Sequence, residues 1–60
     1  MDMWMVIERR DKVYRLVITS NNGLRMTIAN GRYTTEAGAK KGAEKYCKMF
    51  NVPFNGEIIN

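Results

Sequence analysis

The groups best equipped for chemistry in this chain are its cations. Arg9, Arg10 and Lys12 crowd into one short polar segment, and Arg15, Arg25 and Arg32 recur on the segments that follow. Guanidinium groups take phosphate oxygens or guanine edges, and a basic turn can grip a phosphate backbone, so these six residues form a candidate nucleic-acid surface. In isolation each is also ordinary solvated charge. Lys41, Lys45 and Lys48 make a second basic line at helical spacing, expected on the opposite side of the molecule from any sheet. Trp4 and Tyr14 have rings that can stack on bases, although on apolar strands such rings usually belong to a core.

Catalysis has much less to draw on. The chain has no histidine, which removes the ordinary triad and the imidazole base. Glu8 and Asp11 flank one turn, Glu36 and Glu44 lie two turns apart on a helix, and Asp2 and Glu57 sit near the ends. None of these pairs has a spacing suited to acid–base work. No phosphate-cradling glycine motif is present. One cysteine and no histidine cannot supply the four ligands of a structural zinc. The reading is therefore of a protein that is not an enzyme, with no metal, no cofactor and no small-molecule substrate.

The elements that must position these residues follow from pattern. Met3 to Glu8, Val13 to Thr19 and Leu24 to Ala29 are rich in strand-favouring residues and read as three strands. Arg9 to Lys12 turns the chain between the first two, Asn22-Gly23 between the second and third, and Asn30 to Arg32 leads out of the third. A helix is predicted from about Thr35 to Phe50, with Thr34 or Thr35 as N-cap and Glu36 at the positive end of the dipole. Ala39, Ala43, Tyr46, Cys47 and Phe50 share its apolar stripe, and Gly38 and Gly42 border it. Each glycine costs a helix about 1 kcal/mol relative to alanine, which points to close backbone approach, by the sheet or by a second copy. Asn51 and Pro53 end the helix. The tail, Val52 to Asn60, either adds a short edge strand or seals the core with Phe54 and Ile58, the second being favoured. Residues 1–60 thus read as one βββα domain of α+β class, an antiparallel meander with a helix across one face.

Length and charge bound the rest. Sixty residues support only a marginal core, and domains of this size usually need a supplement. Cys47 has no partner for a disulfide, so either good packing or self-association remains. The lone cysteine suits a reducing cytoplasm, and its place on the apolar stripe makes it a small core residue. No segment is long enough for a membrane span, and the start lacks the layout of a signal peptide. The formal charge of +4 is compatible with nucleic acid or an acidic partner.

Face and register are linked. A two-residue Asn22-Gly23 loop would place Val17 and Thr19 beside Leu24, Met26 and Ile28, and Leu16 and Ile18 beside Thr27 and Ala29. A loop one residue longer exchanges the sets. In either register both faces keep apolar side chains while one helix covers only one. The uncovered face is expected to be an apolar interface, with Val17, Leu24, Met26, Ile28, Met3 and Met5 as candidates and a homodimer as the product.

The stretch Tyr33-Thr34-Thr35-Glu36-Ala37-Gly38-Ala39-Lys40-Lys41-Gly42-Ala43-Glu44 resembles the helix signature of the YegP-like domains, small bacterial modules of uncharacterised function. Tyr14-Arg15-Leu16 and Asn22-Gly23 match that family's strand and turn at compatible spacing. The resemblance runs from about Trp4 to Lys48, departing at Ala43, in the Met-rich start and in the longer tail. It implies three strands and a helix, often assembled as two such units, and no activity. A looser likeness in element order runs to the DNA-binding modules of AP2-type proteins and integrase N-termini, whose sheet lies in the major groove.

Two functional expectations come out of this. The favoured one is a non-catalytic interaction module, self-associating through its sheet and binding a protein partner as adaptor or inhibitor. The alternative is a small nucleic-acid-binding protein that uses the sheet face or the first turn.

Overall fold

A computed structural model describes residues 2–60. The chain folds as α+β, with strands β1 (Met3–Arg10), β2 (Val13–Ser20), β3 (Arg25–Tyr33) and β4 (Phe54–Ile59) and one helix, α1 (Glu36–Phe50). The sheet has the order β3-β2-β1-β4. β1 pairs antiparallel with β2, and β2 with β3, whereas β4 runs parallel to β1 on the far edge. The architecture is therefore a four-stranded mixed sheet rather than a strict three-stranded meander. The tail both adds an edge strand and closes the core, because Phe54 and Ile58 pack against the buried cluster.

Two local features set which side chains share a face. At the β2–β3 hairpin, the Gly23 amide donates to the Ser20 carbonyl at 3.2 Å, and the Ser20 amide donates to the Leu24 carbonyl at 3.2 Å. Gly23 sits at φ +90. This is a three-residue loop in which a turn is followed by a left-handed glycine, so the register is one residue off the two-residue hairpin. Ile18 then opposes Met26, and Val17 opposes Thr27. The second feature is a bulge. Thr27 pairs with Val17 and Arg32 with Arg15, so residues 28–31 stand against Leu16 alone. Gly31 is buried there, and a Cβ on it would lie 3.1 Å from side-chain carbons of both Leu16 and Ile28. The bulge carries β3 through Asn30-Gly31-Arg32, a stretch expected to be a turn, and on to Tyr33.

The core lies between α1 and one face of the sheet. Met5, Ile7, Leu16 and Ile18 meet Ala39, Ala43 and Cys47, with Tyr33 and Phe54 among the residues packed around them. The helix begins as its sequence requires. Thr35 is the N-cap, and its hydroxyl accepts from the Gly38 amide at 3.1 Å. It ends on Asn51 in the left-handed conformation, with the Val52 amide donating to the Cys47 carbonyl at 3.1 Å. The glycines have a structural partner within the chain. A Cβ on Gly42 would overlap the Tyr33 hydroxyl and ring, and one on Gly38 would come within 3.7 Å of the same ring. Among the described residues no helix is long and apolar enough to cross a membrane.

Gly42→Ala separates helix propensity from this contact. Propensity alone raises stability by about 1 kcal/mol, whereas displacing the Tyr33 ring costs roughly 1–3 kcal/mol. We expect the urea midpoint to fall. A raised midpoint would mean that the ring does not occupy that position.

Candidate nucleic-acid interface

Strand alternation assigns the arginines to faces. In β1, Met3, Met5 and Ile7 point toward α1, so Trp4, Val6, Glu8 and Arg10 point away. The pairs Trp4–Thr19, Val6–Val17, Glu8–Arg15 and Arg10–Val13 extend that open face onto β2. Thr19–Arg25, Val17–Thr27 and Arg15–Arg32 extend it onto β3. Arg10, Arg15, Arg25 and Arg32 thus share the face that no helix covers, with Trp4 half-buried on it. The first turn divides its own cluster. Arg9 lies on the helix side, its guanidinium carbon 5.9 Å from the Tyr14 ring centroid in a cation–π contact. Lys12 is exposed in the turn itself, beside Asp11 in the left-handed conformation.

Glu8 is at the centre of the arginines. Arg25 Nη2 donates to Glu8 Oε2, and the ion pair joins β3 to β1 across the whole width of β2. Glu8 opposes Arg15 and Arg25 opposes Thr19, so the side chain of Arg25 runs diagonally past Val17. Val17 and its partner Val6 are 0% and 4% exposed although they lie opposite the helix. The hydrogen bond from Arg25 holds the Glu8 carboxyl below its ordinary value, against desolvation, and the charges of Arg25, Arg10 and Arg15 add to the lowering.

The expected apolar interface is corrected by this geometry. Met5 and Val17 are fully buried within the chain and on opposite faces of the sheet, so neither is available to a partner. Met3 and Ile28 are half-buried, and Leu24 and Met26 are exposed, all on the helix-side face or at its rim. The register accounts for the change: the three-residue hairpin turns Met26 and Ile28 toward α1 rather than away from it. Met3, Met26 and Ile28 instead line an open groove of about 800 Å³ beside the end of α1, together with Tyr46, Phe50 and Val52. Tyr46 and Phe50 stack with centroids 6.0 Å apart.

Other chemistry is sparse. Burial pushes the Cys47 thiol up, which disfavours the reactive thiolate. Among the described residues no three His, Cys, Asp or Glu side chains are grouped as a cation site needs. Sequence reasoning weighed Glu8 only as one of the acids flanking the first turn and missed its place on the basic face. The signal was the symmetry of residues 8 and 15 about the Asp11-Lys12 turn. No protein-family model, no curated protein and no solved structure matches the chain.

The depressed pKa of Glu8 fixes the sign of a pH effect. A carboxyl that ionises more readily folded than unfolded contributes stability above its unfolded pKa and loses it as pH falls through the folded one. Wild type should therefore lose urea stability more steeply than Glu8→Gln from neutral pH down to about pH 3. The difference should stay within about 1 kcal/mol, because Arg25 is half-exposed. Parallel curves would show that the pair contributes nothing.

Proposed function

We propose that the protein is a small, non-catalytic nucleic-acid-binding module that uses the open face of its sheet. The supporting observation is the convergence of Arg10, Arg15, Arg25 and Arg32, from three strands, on the one face that α1 leaves free. Arg15 and Arg32 are directly opposite each other, a like-charge pair with one carboxylate, Glu8, on the other side of Arg15. Arginine on a rigid strand loses little freedom when its planar fork meets phosphate, which suits this face better than the flexible lysines of α1. Val6 and Val17 are buried on this face, which favours the arginines over an apolar partner as what it offers.

A second reading rests on a different surface. Met26 and Phe50 are 46% and 48% exposed at the rim of the helix-side groove. β3 beside it is an edge strand with an unpaired row of backbone groups. An apolar groove against an open edge suits self-association, here along the β3 edge rather than through the sheet face. The resemblance to the YegP-like domains, often assembled as two such units, supports the same reading.

Fluorescence anisotropy with a labelled generic duplex and a labelled strand, at low salt and near physiological salt, tests the first reading. Micromolar binding that weakens steeply with salt is expected. Substituting Arg10, Arg15 and Arg32 together by alanine should weaken binding and flatten the log–log salt slope by about 2–3, at 0.7–0.9 per lost phosphate contact. No binding at low salt would remove nucleic acid from consideration. For the groove, light scattering at high concentration should give a dimer mass for wild type and a monomer mass for Met26→Lys. A monomer mass for wild type would end the second reading.

A further inference from the structure

Glu8 is the only carboxylate among the open-face positions of β1, β2 and β3. It opposes Arg15, is ion-paired with Arg25 and feels the charge of Arg10. Guanidinium groups from three strands gathered about one anion make the kind of environment that charge-assisted hydrogen bonds give a phosphate. Arg25 is 54% exposed at its side chain, so its hold on Glu8 lies at the surface and is open to exchange. Beneath its path lie Val6 and Val17, and the neighbouring open-face position on β1 is Trp4.

We propose that Glu8 is a built-in stand-in for a phosphate, and that the face takes a single-stranded nucleic acid whose phosphate replaces Glu8 on Arg25 while a base stacks on Trp4. This rests on the nucleic-acid reading above. Trp4 is half-buried on this face, and the open part of its indole is where a base can stack. A duplex offers no free base face for that purpose. Shape points the same way: four strands at about 4.8 Å spacing span roughly 14 Å before side chains, whereas the major groove is about 12 Å wide and admits a two-stranded ribbon. Glu8 then acts as a positioning and competing residue. It keeps the arginines extended over the face in the free protein and opposes weak anions, while a strand that brings several phosphates overcomes it.

Trp4 is the only tryptophan of the chain, so its emission reports directly on the face. The experiment titrates the full chain with oligothymidylate of about twelve nucleotides and, separately, with a duplex, following Trp4 fluorescence and the anisotropy of labelled probes. Expected are quenching of Trp4 by the strand, tighter binding of strand than duplex, and binding by Glu8→Gln that is roughly fivefold tighter or more. Arg25→Gln, which removes the phosphate's receptor, should bind severalfold more weakly. Far-UV circular dichroism establishes that each variant is folded. Strand binding by wild type with no gain in Glu8→Gln, or no loss in Arg25→Gln, would overturn the exchange. Preferred duplex binding with Trp4 emission unchanged would overturn the single-strand assignment and leave the nucleic-acid reading standing. Failure of wild type and Glu8→Gln to bind either probe at low salt would remove both.

Discussion

A sheet has two faces and this chain has one helix. The face under α1 is closed by Ala39, Ala43 and Cys47, but Val6 and Val17 lie on the other, and two β-branched side chains left in water would weaken an already small core. Both are buried all the same, and the Arg25–Glu8 ion pair spans this part of the sheet. The long aliphatic stem of Arg25 crosses the width of β2 and its guanidinium anchors on Glu8, so the charged head stays in water while the stem crosses the region of the valines. Much of the chemistry of the open face follows from that one contact. It ties β3 to β1 at Glu8, which strand position already sets beside Arg10 and Arg15.

The helix side is shaped by a gradient of side-chain size. Small residues in the first half of α1 let the Tyr33 ring lie against the backbone at Gly42, and an alanine there would meet the ring. The second half carries Tyr46 and Phe50, which stack on each other and stand off from the beginning of β3. The result is a wedge, closed at the Tyr33 end and open between Met26 and Phe50. That opening leaves Met26 and Phe50 to water, whereas Val6 and Val17 on the far side of the sheet are buried.

Much of this was legible in the sequence and some of it was not, for definite reasons. The helix, its Thr35 cap, its Asn51 stop and the cores of the first three strands were written in local pattern. What failed was register. Asn22-Gly23 suggests a two-residue loop, but Gly23 serves as the left-handed third residue of a longer one, and a one-residue slip exchanges the faces of a whole strand. That single step moved Met26 and Ile28 to the helix side and brought Arg25 to the open face. The extension of β3 to Tyr33 depends on a bulge whose only local sign is Gly31. The parallel pairing of β4 with β1 is non-local, so the tail pattern alone favoured a seal over the strand that it also forms.

The placement of charge argues that the open face is more than a cover. Arg25 and Glu8 neutralise each other across the sheet. Arg15 and Arg32 add two further cations at directly opposed positions on neighbouring strands, whose Cβ atoms lie about 5 Å apart and where like charges reduce the stability of the pair. Arg10 adds another at the same end of the sheet. A chain selected for stability alone would place threonine or an acidic partner at one of these positions. Lysines 41, 45 and 48 already give the molecule a solvated basic surface on the helix, so solubility does not call for more. Glu8, opposite Arg15, is one anion beside these cations, and on the nucleic-acid reading proposed above the phosphates of a bound strand would supply others.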